Sequence, residues 1–388
     1  MSTTTDHRLP EQFEAFAEAR RNAFLGVKKI KDSGRRVAGT FCTFTPNEIL
    51  WAAGFSPVGL CGMSKETVAD AEVDLPKNLC PLIKSSYGFA ITDKCPFTYF
   101  SDILVGETTC DGKKKMYELL GRIKPVHTLQ LPQVQDPERS LAMWTEEMRL
   151  LAKRLRDDFG SEFTDDDLRE HIKIANKQRQ AMLEFLRLGE LRPAAMSGYD
   201  LYKTTEGNTF IFDQEERYQR IIDLVASIRQ AYDDGQHRGD NETKRIMITG
   251  CPMGGVLDKI VKPLEDEGVV VVCYENCFGE REKLTLVDES PDRDPYEVLA
   301  EKYLSINCSV MTPNDGRMRD IEDMVKRYQI DGVVEVVLQA CHTFAIESKT
   351  VREKVTELGL PYIAIETDYS TSDSGQLQTR LAAFVEIL

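Results

Sequence analysis

The sequence has no excess of positive charge: 49 Lys and Arg stand against 64 Asp and Glu, a formal net charge of −15. A nucleic-acid binder carries a basic face or stripe, so that class is excluded. No apolar run approaches the roughly 18 residues of a membrane span. The most apolar stretches, Gly268 to Cys273 and Val333 to Leu338, are strand-sized. The opening residues MSTTTDHRLPEQ offer no basic flank followed by an apolar core, so no secretory leader is expected and the chain reads as cytoplasmic. Cysteine is plentiful, at ten, but no two stand as CxxC, which removes the zinc-ribbon and thioredoxin readings. The five histidines show no metal-binding spacing, and neither GxGxxG nor GxxxxGK[ST] occurs. TGCPMGG, Thr249 to Gly255, is therefore better read as a βα turn that needs glycine for its backbone shape than as a nucleotide site.

What is present is a chain of 388 residues, enough at roughly 150 per domain for two or three domains. Sizeable cores form at that length, so the cysteines are not needed as staples. Residues 11 to 31 predict an amphipathic helix with Phe13, Phe16, Ala17, Phe24 and Val27 on one stripe. Strands are expected at 36–41, 57–60 and 102–105. Helices follow from Thr45, Pro46, Asn47 and Glu48 (a capping signal), from Cys80 and Pro81, and from Asp111. Residues 125 to 131 close this first α/β unit. Residues 137–235 are charged, poor in Gly and periodic at helical spacing. Their stripes are Trp144, Met148, Leu151 and Leu155; Leu168, Ile172, Ala175, Met182 and Leu186; and Tyr218, Ile221, Leu224, Val225 and Ile228. A polar linker, Asp233 to Thr243, precedes renewed βα alternation, with strands at 245–249, 268–273, 332–338 and 362–365. The expectation is two Rossmann-like parallel-sheet α/β domains, 1–136 and 241–388, joined by a helical bridging segment, 137–240.

Cys42, Cys110, Cys251 and Cys277 follow predicted strands, and Cys341 lies just beyond the strand ending at Leu338. Open parallel sheets bind ligands in the crevice outside the carboxyl ends of their strands, so loop cysteines from both halves converge on one cleft. That suits an iron–sulfur cluster, which wants thiolates and tolerates wide spacing. Cys80, Cys110 and Cys341 each stand where a helix begins, and helix N-termini favour anions. Lys113, Lys114 and Lys115 add positive charge nearby. Cys273, inside an apolar strand, and Cys61 are best explained as core residues.

The run LCPLIKSSYGFAITDKCPFTYFSDILVGETTCDGKKKMYE resembles the 2-hydroxyacyl-CoA dehydratase and benzoyl-CoA reductase superfamily. So do YENCFGER, LQACHTFAIES and IAIETDYSTSDSGQLQTR, and within the superfamily the likeness is to the double-cubane cluster proteins. The resemblance implies that Cys80, Cys110 and Cys341 hold a [4Fe-4S] cluster. A double cubane, [8Fe-9S], needs three further thiolates; Cys42, Cys277 and Cys308 are the choice, with Cys95 their competitor. It implies a homodimer that takes electrons one at a time from a separate homodimeric ATP-hydrolysing iron–sulfur reductase and reduces a small-molecule substrate in the cleft. Glu48, His342 and Glu347 are the candidate proton donors. The alternatives are a dehydratase subunit, a lyase with one [4Fe-4S] cluster, and a non-catalytic electron-storage protein.

Overall fold

The computed structural model describes residues 12–388, with side chains from residue 22 onward, so Phe13, Phe16 and Ala17 lie outside the described side chains. Eight strands form two sheets. The first contains β1 (Arg36–Thr40), β2 (Phe55–Gly59), β3 (Ile103–Glu107) and β4 (Val126–Leu129), in the order β2-β1-β3-β4. The second contains β5 (Arg245–Gly250), β6 (Val270–Glu275), β7 (Gly332–Leu338) and β8 (Tyr362–Thr367), in the order β6-β5-β7-β8. All neighbouring pairs are parallel. Each sheet therefore steps outward once, then crosses back over its first strand. This puts a topological switch point beside β1 in one half and beside β5 in the other.

Every residue of β5, β6 and β7 is buried, which is why these segments read as continuous apolar runs rather than alternating ones. β6 runs to Glu275, two residues past the expected end, because Tyr274 and Glu275 pair with Ile248 and Thr249. Gly250 closes β5 at φ +110°; a Cβ there would stand 2.2 Å from the Val336 carbonyl oxygen, so glycine is required where the chain turns toward the cleft.

Between the sheets lie helices Pro137–Phe159, Asp165–Arg187, Gly198–Asn208 and Gln214–Asp233. Asp136, Thr164, Ser197 and Asp213 each accept a hydrogen bond from a backbone N–H of the helix they cap. Trp144, Met148, Leu151 and Leu155 are wholly buried with Ile49, Leu50, Leu299 and Tyr303. A second, larger core joins the two sheets through residues such as Val37, Leu104, Phe185, Leu224, Ile248 and Val336.

Two local expectations are corrected. Phe24 is 47 % exposed, because the inward-facing stripe reaches Val27, as expected, through Ala23 and not Phe24. Thr45 does not cap helix Asn47–Ala52; its hydroxyl donates to Glu107 at the end of β3, and Pro46 occupies the cap position. Within the polar segment 233–243, Arg238 bridges to Ala194 by an antiparallel pair.

A candidate cluster site lined by cysteines

The carboxyl ends of both sheets open on one cavity of about 670 Å³. Six thiols stand within three residues of the ends of β1, β2, β3, β5, β6 and β7: Cys42, Cys61, Cys110, Cys251, Cys277 and Cys341. Together with Cys80 and Cys308 they make eight cysteines on the wall. Cys95 and Cys273 do not line it. Cys95 caps the separate helix Pro96–Phe100 and accepts from Thr98 N, while Cys273 is buried within β6. Cys61, expected to be a core residue, instead faces the cavity and donates to Phe41 O at 3.3 Å. Sequence reasoning missed it because its short strand, ending at Gly59, carries no long apolar run to mark where the chain turns.

The six thiols chosen from sequence all reach the cavity. Cys80, Cys110 and Cys341 are the N-cap residues of helices Pro81–Ile91, Asp111–Leu120 and His342–Glu357, and Lys113 N donates to Cys110 Sγ at 3.5 Å. The side chains of Cys80, Cys341 and Cys251 form a hydrogen-bonded chain centred on Cys341, and Leu338 N donates to Cys251 Sγ at 3.4 Å. Cys42, Cys277 and Cys308 form a second group, in which Cys277 and Cys308 act to raise Cys42 and Cys308 acts to raise Cys277. Burial is the main force pushing the Cys42 thiol upward; it carries Cys277 to about 11, against the pull of Arg281. Hydrogen bonding to Cys341, then burial, lifts Cys80 well above the ordinary thiol value.

The three candidate proton donors separate. His342 stands exposed on the cavity wall at the first position of its helix. Glu48 is wholly buried and does not line the cavity; Arg179 Nη2 donates to it at 2.5 Å and the Tyr303 hydroxyl at 2.8 Å. Glu347 also lies off the wall. Its Oε1 accepts from Asn314 Nδ2 at 2.6 Å, its Oε2 from Arg317, and Asn314 Nδ2 reaches Cys308 O at 3.0 Å. Both carboxylates are thus tied into ion pairs behind the wall, and Glu347 props the loop carrying Cys308.

Two cations bear on the thiols. Lys113 Nζ donates to Phe41 O at 2.8 Å, and among the described residues no carboxylate stands within ion-pair distance of it. Burial pulls its pKa down, but Tyr117, Cys42, Cys61 and Glu107 hold the ammonium well above the ordinary lysine value. Arg281 is 6 % exposed. Its Nε donates to Glu275 Oε1 at 2.8 Å, Cys308 and Cys277 act electrostatically on the guanidinium, and among the described residues its Nη1 has no hydrogen-bond partner. A buried guanidinium N–H without an acceptor is costly, and a thiolate-bound anionic cluster supplies one. Among the described residues no three His, Cys, Asp or Glu side chains close on a point as ligands of a single ion do. Thiolates bound to different metals of one cluster stand further apart than that. The donor set, all sulfur with cations behind it, fits an iron–sulfur cluster.

The fold and the site together define a two-sheet α/β protein whose strands deliver thiols to one shared cleft. Comparison with known proteins makes the family plain: residues 42–388 match the family model for the 2-hydroxyglutaryl-CoA dehydratase D-component, and the chain belongs to that family. It is 50 % identical over 389 residues to the "Putative dehydratase subunit YjiM" of Escherichia coli (strain K12), covering 100 % of both chains. It is 23 % identical to the (R)-phenyllactyl-CoA dehydratase beta subunit of Clostridium sporogenes, over 93 % of this chain and 94 % of that one. With a benzoyl-CoA reductase subunit of Thauera aromatica the identity is 22 %, over 90 % and 89 %. The family is thus one of dehydratase and reductase subunits, which supports an enzyme role for this chain. Among the described residues no helix is long and apolar enough to cross a membrane.

Proposed function

We propose that this chain is the iron–sulfur component of an ATP-dependent reductase, with a double-cubane cluster held by Cys80, Cys110 and Cys341 together with Cys42, Cys277 and Cys308. The observation that carries the reading is the convergence of those thiols on one cavity, with Lys113 on its wall and the buried Arg281 guanidinium acting on Cys277 and Cys308. When bound, such a cluster supplies electrons singly and at low potential. The residues of this chain do the rest. Helix N-termini at Cys80, Cys110 and Cys341 offset thiolate charge. The Arg179, Glu48 and Tyr303 contacts brace the helical wall, and Glu347 fixes the Cys308 loop through Asn314. His342, on the wall beside Cys341, is the ring that donates a proton to the reduced substrate.

The electrons come from a separate homodimeric ATP-hydrolysing iron–sulfur protein, and the chain works in the cytoplasm as a homodimer. Anaerobic purification with iron and acid-labile sulfide counted per chain tests this; about eight irons and nine sulfides are expected. The names of the relatives favour a second reading, a 2-hydroxyacyl-CoA dehydratase subunit with one [4Fe-4S] cluster and a nonidentical partner subunit. About four irons per chain would select it. No iron after anaerobic reconstitution would remove both.

A further inference from the structure

The cavity has two kinds of wall. All of its thiols come from the two sheets and their connections, and none from residues 137–240, which contain no cysteine. The polar residues of the helical wall include Gln178, Arg179, Glu206, Asn208 and Arg217, and Glu206 is paired with Lys203 at 3.5 Å. Arg179 is engaged by Glu48 and Glu282 at 2.5 and 2.8 Å. Arg217 is not. Its Nε donates to Ile211 O at 2.8 Å, which orients the guanidinium, and no carboxylate stands within ion-pair distance among the described residues. Lys113 has Cys42 and Cys61 for neighbours and Arg281 has Cys277 and Cys308, whereas among the described residues no thiol or acid acts on Arg217. Burial alone lowers its pKa, to about 10. Even so it stays charged at neutral pH, so Arg217 stands on the cavity wall as a cation with no ion-pair partner among the described residues. A second group points the same way. Asn208 is 9 % exposed, lines the same cavity, and its Oδ1 has no hydrogen-bond partner. Either end of that amide serves a ligand, as donor or acceptor.

We propose that Arg217 is the anchor for the substrate's negative charge, so that the cavity takes a small molecule bearing a carboxylate or an equivalent single anionic group. The sheets then hold the redox group and the helical wall selects the substrate. The inference rests on the proposed function only in taking this cavity as the place of reaction; anion binding itself requires no cluster.

The test uses the full chain, both anaerobically loaded with iron and iron-free, titrated with acetate and with its neutral isostere acetamide at fixed ionic strength. Trp51 lines the cavity and the other of the two tryptophans, Trp144, is wholly buried in helix Pro137–Phe159, so intrinsic emission reports occupancy. Acetate is expected to give a saturable change and acetamide none. Arg217→Met should weaken acetate binding by about tenfold or more, and Arg217→Lys by less, because a point charge replaces the planar fork. Iron content should match the unsubstituted protein in both variants. Equal responses to acetate and acetamide, or undiminished acetate binding by Arg217→Met, would overturn the anchor. Absence of iron from the unsubstituted protein would instead sink the cluster reading, while the iron-free titration still decides the anchor.

Discussion

The two sheets share a strand order and place cysteines at matching points. Cys42 and Cys251 follow the first strand of each, Cys61 and Cys277 the second, and Cys110 and Cys341 the third; Cys80 and Cys308 lie in the connection from second to third. What differs is the charge behind the thiols. Glu107 ends β3 and Glu275 ends β6; each is buried and each accepts a hydrogen bond from a threonine, Thr45 or Thr249. Glu107 faces no guanidinium, and burial lifts it to about 7 against the opposing pull of Lys113. Glu275 suffers the same burial, yet Arg281 and Arg317 hold it below the ordinary carboxylate value. Burial alone does not set the sign of a shift; the partners that the topology delivers do.

The sharpest break in this comparison is at the thiols themselves. Cys80→Ala, Cys110→Ala and Cys277→Ala are expected to lose most of the bound iron on anaerobic purification, while Cys61→Ala and Cys251→Ala retain it. Iron loss in Cys251→Ala with retention in Cys110→Ala would mean that the Cys80, Cys251 and Cys341 group is the ligand set. Next in size is Arg317→Met. It strips the shared countercharge from Glu275 and Glu347, and denaturant unfolding should show a loss of about 3–5 kcal/mol.

Glu107→Gln sharpens the contrast with pH. A carboxyl whose folded pKa is raised binds its proton more tightly when folded. Its contribution is therefore full at low pH and is lost as pH rises from the ordinary value of 4.5 through about 7. The shift corresponds to about 3 kcal/mol. The variant should lack that decline and be the more stable protein at pH 8, as read by unfolding across the range. Glu265, raised to about 7 chiefly by burial, keeps its own slope in both proteins, so the difference curve isolates Glu107. The smallest effects lie away from the sheets. Lys153→Ala, at an exposed i,i+4 pair with Asp157, should change stability by less than about 0.5 kcal/mol, and Cys95→Ala should leave iron content unchanged.

Much of the architecture was legible because burial imposes period. The continuous runs at 245–249 and 332–338 and the helical stripes on Trp144 and Leu168 are direct records of which face is covered. The cysteines were legible as a group because parallel strands end together. That Glu48 and Glu347 lie off the cavity wall was not legible because a carboxylate in sequence says nothing of its partner; Arg179 is 131 residues from Glu48 and Arg317 is 30 from Glu347. Glu107, Arg217 and Arg281 drew no attention for the same reason.

By itself the sequence determined the two parallel-sheet halves, the helical middle and the thiol supply, since periodicity, strand ends and cysteine positions are local properties. Only the tertiary structure decided which thiols face one cavity, which cations stand without a carboxylate and which acids are tied behind the wall. Those are pairings across tens to hundreds of residues, and the free energy of a buried charge depends on the group brought beside it, not on its neighbours in the chain.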